Sequence, residues 1–154
     1  MNPEQREAIY EFFKVTKKLK DLDIVRSSSY LGNIAEFVCS NLYGITLSES
    51  QREESLDGVD INGIKVEIKS HDGESGNNIV MSKYKDGQNF KDLIVFLAPS
   101  SKIRPNNIPQ NTFAIYRIRN YNVNTHGNIA KGVLGENGYD FLLDEHLNIL
   151  EDHI

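Results

Sequence analysis

The dipeptide Asn62-Gly63 lies between two short runs of alternating apolar and polar residues, and it constrains this chain more than any other feature. Asn-Gly is a strong local signal for a β-hairpin, because both residues tolerate the positive φ that a tight turn demands. The strands are then residues 56–61 and 64–70. Side chains alternate along a strand, so Lys65, Glu67 and Lys69 share one face of the outgoing strand while Val66 and Ile68 take the other. The incoming strand carries Asp57 and Asp60.

Register decides which aspartate meets Glu67. A two-residue Asn62-Gly63 loop pairs Ile61 with Ile64 and puts Asp60 on the face of Glu67, with Asp57 turned away. A three-residue Ile61-Asn62-Gly63 loop, with Gly63 left-handed, pairs Asp60 with Ile64 and sets Asp57 opposite Glu67, Cβ atoms about 5 Å apart. Regular pairing does not put both aspartates on that face. Either way, two carboxylates and a lysine converge. Carboxylate oxygens suit a hard cation such as Mg²⁺, with Mn²⁺ able to substitute. Such a cation activates water and stabilises charge on phosphate. On this reading the aspartate, Glu67 and the Ile68 carbonyl are the ligands, and Lys69 orients the water or steadies phosphoryl charge. The same pentad, Lys65 to Lys69, is also how an ordinary half-exposed strand reads, charges out and Val66 and Ile68 in.

Two helices precede the hairpin. Asn2-Pro3, with Gln5, has the pattern of a capping box opening a helix. Ile9, Phe12, Phe13, Thr16 and Leu19 form its apolar stripe, and Lys14, Lys17 and Lys18 its solvated faces. After a Ser27-Ser28-Ser29 loop and cap, a second helix spans residues 30–43 and stops at Gly44. Leu31, Ile34, Ala35, Val38 and Leu42 face inward, Cys39 reads as a core thiol, and Gly32 leaves the backbone beside Glu36 open.

Residues 46–54 read as loop, 71–78 as a surface loop containing His71, and 79–81 as a short strand. Residues 93–98 form a buried central strand, 100–110 a loop and 112–118 another strand, with Arg117 and Arg119 on one face. The tail after Gly138 reads as a short helix. The order predicts one domain over residues 1–154, an α+β fold with a mixed sheet of four to five strands flanked by helices.

Composition limits the partners. The net charge of −5 counts against strong non-specific binding to nucleic acid, although a cation site itself gathers acidic residues. No apolar run reaches membrane-spanning length, and the first residues lack a signal-peptide pattern. The single Cys39 excludes an internal disulfide, and the histidines lack zinc-ligand spacing; a cytoplasmic location is expected.

Leu31-Gly32-Asn33-Ile34-Ala35-Glu36-Phe37, Leu42-Tyr43-Gly44, Ser50-Gln51, Leu56-Asp57-Gly58-Val59-Asp60 and Asn62 through Lys69 occur in the order of a helix glutamate followed by a hairpin bearing Asp and then Glu-x-Lys. In this the chain resembles the restriction-endonuclease-like superfamily with its PD-(D/E)XK motif, over residues 26–70, and especially small bacterial or phage domains of that type. No proline precedes either aspartate here. The resemblance implies a restriction-endonuclease-like core and a Mg²⁺-dependent DNA endonuclease acting in restriction, defence or phage DNA metabolism. It makes Glu36 the helix carboxylate, Asp57 the favoured motif aspartate with Asp60 as the alternative, Glu67 the second ligand and Lys69 the motif lysine. Lys83 and Lys85, beyond the next strand, are where such enzymes contact DNA. A homodimer or larger assembly follows by analogy, since cutting two strands calls for two sites. The competing expectations are a catalytically silent module of the same fold that binds nucleic acid or a protein, and an α+β protein without nuclease ancestry.

Overall fold

The computed structural model describes residues 1–24, 30–48, 56–73 and 76–150. The Ser27–Ser29 cap, Ser50-Gln51 and parts of the 46–54 and 71–78 loops lie outside these residues. Helix α1 (Pro3–Asp21) starts in the expected capping box: Gln5 N–H donates to Asn2 Oδ1 at 2.8 Å, and Asn2 N–H donates to Gln5 Oε1 at 2.9 Å. Helix α2 (Leu31–Tyr43) ends at a left-handed Gly44.

The described strands form one mixed sheet in chain order: β1 (Thr46–Leu47), β2 (Gly58–Val59), β3 (Lys65–His71), β4 (Asp92–Leu97), β5 (Phe113–Ile118) and β6 (Phe141–Leu143). Neighbours are antiparallel except β3 and β4, which are parallel. Two short helices, α3 (Val123–His126) and α4 (Lys131–Asn137), lie between β5 and β6. The α+β class and mixed sheet are as expected, but there are six strands rather than four to five.

The differences have local causes. Thr46 and Leu47 pair with the hairpin instead of forming only loop. Residues 79–81 give one isolated bridge, Ile79 with Ile129, because the segment is occupied in crossing the sheet. The tail after Gly138 forms β6 rather than a helix. Leu142 and Leu143 bury on opposite faces of the sheet, an alternation too short for periodicity to separate from a helical turn.

Strand β4 is buried at every position, which explains its unbroken apolar sequence. Leu93, Val95 and Leu97 pack on one face with Met81, Tyr84, Phe90 and Tyr116. Ile94 and Phe96 pack on the other with Ala35, Val38 and Cys39 of α2. A parallel pair needs a crossover. Here the chain between β3 and β4 supplies it without a long helix, and its 3-10 turn at Ser82–Tyr84 brings Tyr84 down onto the first face. No helix among the described residues is long and apolar enough to cross a membrane.

Candidate active site

The hairpin adopts the three-residue turn. Asp60 N–H donates to the Ile64 carbonyl at 2.9 Å, Gly63 N–H donates to the Asp60 carbonyl at 3.0 Å, and Gly63 has φ 79°. Gly58 pairs with Val66 and Val59 with Lys65. Gly58 is needed for space, since a Cβ there would lie 2.6 Å from Ile45 and from the Thr46 carbonyl of β1.

Continued by one residue, this register would set Asp57 against Glu67, but regular pairing ends there. Asp57 N–H turns back to the Val66 carbonyl at 3.0 Å. Its Oδ2 then accepts from Ile68 N–H at 2.7 Å, replacing a ladder carbonyl. The Asp57 carboxylate is thereby held on the β3 backbone beside Glu67. Strand alternation turns the Ile68 carbonyl to the same edge: the Lys65 and His71 carbonyls go to the β4 side, accepting from Lys91 and Ala98, whereas Val66 and Ile68 face β2.

Glu67 is 6 % exposed and lies on the face covered by the crossover. Tyr84 Oη donates to its Oε1 at 3.0 Å, and Lys69 Nζ is 3.2 Å from the same oxygen. Burial, and then the neighbouring Asp57 charge, push the Glu67 carboxyl up to about 7, against the lowering influence of Lys69 and Tyr84. Burial alone would make Lys69 less basic, but the Tyr84 hydroxyl and Glu67 outweigh it and hold the ammonium above its usual value. Tyr84 is pushed up by burial. Its ring lies 5.4 Å from Lys69 Nζ and 5.1 Å from Lys83 Nζ, so the crossover carries Lys83 to the rim of the site. Lys85, directly after Tyr84, is exposed.

Asp60 is in a different environment. Its Oδ1 accepts from Asn62 N–H at 2.8 Å and Ile64 N–H at 2.9 Å, closing the turn. Its Oδ2 accepts from Arg117 Nη2 at 2.7 Å. Arg117 Nε reaches Asp92 Oδ2 at 2.8 Å, and Asp92 Oδ1 accepts from Asn120 N–H at 2.9 Å. Burial would raise Asp60, but Arg117 and the two amides hold its carboxyl below the usual range. Asp60 thus joins a buried Asp–Arg–Asp triad, with the guanidinium 5.4 Å from the Tyr43 ring.

Glu36 is half-buried on α2, and a Cβ on nearby Gly32 would meet nothing within 4 Å, the open backbone the sequence implies. However, α2 packs on the sheet face of Val66 and Ile68, whereas Glu67 and Lys69 occupy the other. Among the described residues no three His, Cys, Asp or Glu side chains gather as a metal-ligand group. The structure therefore brings Asp57, Glu67 and Lys69 together and does not add Glu36 as a third side-chain ligand.

His71 ends β3 rather than opening a loop. It is buried, with Nδ1 2.7 Å from Ser101 Oγ and Nε2 2.6 Å from the Gly76 carbonyl, so both nitrogens serve the fold. Cys39 is a buried thiol whose pKa burial raises, as the core reading expects. Tyr84 and the Arg117–Asp92 pair are not evident from sequence. Tyr84 sits in a polar stretch with no periodic signal, and the pairing of Arg117 depends on contacts from distant strands.

A cleft of about 570 Å³ lies between α1 and the ends of β3 and β4, lined by Phe13, Lys14, Asp72 and Pro99 among others. None of Asp57, Glu67 and Lys69 lines it. The carboxylate pair is a separate place, where Asp57, Glu67, Lys69 and Tyr84 meet. No family model matches the chain and no curated protein does, so the reading of its function rests on the arrangement of Asp57, Glu67, Lys69 and Tyr84.

Proposed function

We propose that this chain has a restriction-endonuclease-like core and is a Mg²⁺-dependent endonuclease that hydrolyses phosphodiester bonds in DNA. The observation that carries this reading is the juxtaposition of the Asp57 and Glu67 carboxylates beside the Lys69 ammonium, with the Glu67 carboxyl raised even though Lys69 and Tyr84 meet it. Two neighbouring carboxylates repel, and burial deepens the cost. A divalent cation is the partner that would relieve it, and the donor set is chemically right: hard oxygens of Asp57, Glu67 and the Ile68 carbonyl. Asp60 is the weaker candidate, because both its oxygens are engaged by the turn and Arg117.

Asp57 and Glu67 would hold the cation, whose chemistry is to lower the pKa of water and to neutralise phosphate charge. Lys69 would place its ammonium against a phosphoryl oxygen or the incoming water. Tyr84 holds Glu67 and Lys69 in register, and Lys83 offers a cation to a neighbouring phosphate. Glu36 is the weakest of the proposed ligands, because α2 packs on the face of β3 opposite Glu67.

The test is cleavage of plasmid and single-stranded DNA with Mg²⁺ or Mn²⁺ by wild type, Glu67→Ala and Lys69→Ala. Cutting by wild type should fall on the order of a hundredfold or more in both variants. Equal cutting by all three would point to a contaminant and remove the assignment. Among the described residues no third carboxylate joins the pair, which leaves a second reading, a catalytically silent module that binds nucleic acid or a protein. Wild type that binds DNA without cutting any substrate would select that reading.

A further inference from the structure

Helix α1 carries two apolar seams; one packs on the sheet, and the other is largely exposed, with Phe12 meeting the Tyr30 ring edge-on at 4.7 Å. Ile9, Phe13 and Thr16 turn inward, with Phe13 packed 5.3 Å from the Phe113 ring. Ala8, Phe12, Val15, Leu19 and Leu22 recur at alternating spacings of four and three residues, which aligns them as a second stripe. Ala8 is exposed and Leu19 half-buried, while Phe12, Val15 and Leu22 are 43 %, 53 % and 60 % exposed. Single exposed apolar residues are ordinary; a continuous seam along four turns is a feature of interfaces.

The charges along this seam indicate what covers it. One border carries exposed Glu4, Glu7 and Glu11 in the first half of the helix and exposed Lys14 and Lys18 in the second. In a parallel helix pair this border meets the opposite border of the partner, which offers Gln5, Ile9 and Thr16 to the glutamates and sets Lys20 near Lys18, so no charge is matched. In an antiparallel pair the border meets itself reversed. Glu7 and Glu11 then lie against Lys14 and Lys18 of the second copy, twice over, and the helix macrodipoles oppose favourably.

We propose that this face is a homodimer interface in which α1 of two copies packs antiparallel about a two-fold axis near Phe12 and Val15. The proposal is independent of the chemistry assigned to Asp57 and Glu67.

Sedimentation equilibrium of the full chain at tens-of-micromolar concentration tests it. Wild type should have the mass of two chains, and Val15→Glu the mass of one with unchanged circular dichroism. Glu11→Lys should weaken the dimer about tenfold or more by setting lysine against Lys18. The double variant Glu11→Lys/Lys18→Glu should restore it, which separates a charge match from a folding defect. A monomeric wild type, a dimer that survives Val15→Glu, or a charge swap without rescue would overturn the proposal.

Discussion

Asp57 and Asp60 belong to one hairpin and are separated by two residues, yet the fold treats them in opposite ways. Asp60 is fully answered: two turn amides and the Arg117 guanidinium meet its oxygens, and its carboxyl is held below the usual range. Among the described residues Asp57 has one backbone partner, the Ile68 amide, and it lies beside a second carboxylate, Glu67, whose pKa is driven upward by burial and then by Asp57. Buried charge that is paired serves the fold. Buried like charge left side by side costs stability, and such sites are where functional groups concentrate. The Asp60–Arg117–Asp92 triad fastens the turn and β4 to β5, and the Asp57–Glu67–Lys69 group is the part to which the proposed function assigns chemistry.

The largest expected effect comes from breaking the answered side. Arg117→Met removes the guanidinium that links Asp60 and Asp92 and leaves both carboxylates buried, with the exposed Arg119 at 3.9 Å from Asp92. The cost should be about 3–5 kcal/mol, read as a large fall in urea midpoint at pH 7. It should shrink at acid pH, where the stranded carboxylates take up protons. If Arg117→Met costs no more than an average surface change, the triad is not what fastens the turn.

The unanswered side should respond with the opposite sign. The Glu67 carboxyl is raised from 4.5 to about 7, so on raising the pH the unfolded chain releases this proton first. Stability from this group is full below about pH 4.5, declines through about pH 7, and stays lost above. Glu67→Gln should therefore match wild type near pH 4 and exceed it at pH 8 without divalent metal, by about 1–3 kcal/mol once the loss of the Lys69 partner is allowed for. The same variant should lose metal-dependent cleavage. Equal pH dependence in wild type and variant would mean that Glu67 does not carry the strain.

Asp57→Asn sharpens the contrast further. It should preserve a side-chain oxygen for Ile68 N–H while removing the like charge beside Glu67. The midpoint of the stability decline should move to lower pH, and Mg²⁺ should no longer bind, as calorimetry would show. Asp60→Asn should leave that midpoint in place. If the two substitutions moved it equally, the division of roles between the aspartates would fail.

The sequence made part of this contrast legible. The Asn62-Gly63 turn and the alternation of Lys65 through Lys69 are local, and they supplied both candidate registers; only the paired chain selects between them. The buried run of β4 was readable because continuous apolar residues report burial on both faces, and β5 was readable from its β-forming residues. The partners of the aspartates were not readable. Arg117 reaches Asp60 across distant strands, Tyr84 arrives on a crossover of mixed polar sequence, and Asp57 leaves the ladder at the point where regular pairing would have placed it. The mispredicted β6 shows the same limit: three residues contain too little pattern, and β5 supplies what they lack.

Tyr84→Phe should produce the smallest effect and tests how the unanswered side is held. The ring would stay in its contact with Phe90, at 5.0 Å, so packing changes little. The hydroxyl that donates to Glu67 Oε1 and meets Lys69 would be lost. Stability at pH 8 should fall by about 1 kcal/mol, the net worth of such a hydrogen bond. Because the hydroxyl favours ionised Glu67, its removal should move the stability decline to higher pH, opposite to Asp57→Asn. That opposition is the informative result: Asp57 disfavours the Glu67 charge, Tyr84 favours it, and a shift of the same sign in both variants would show that the hydroxyl only fills space.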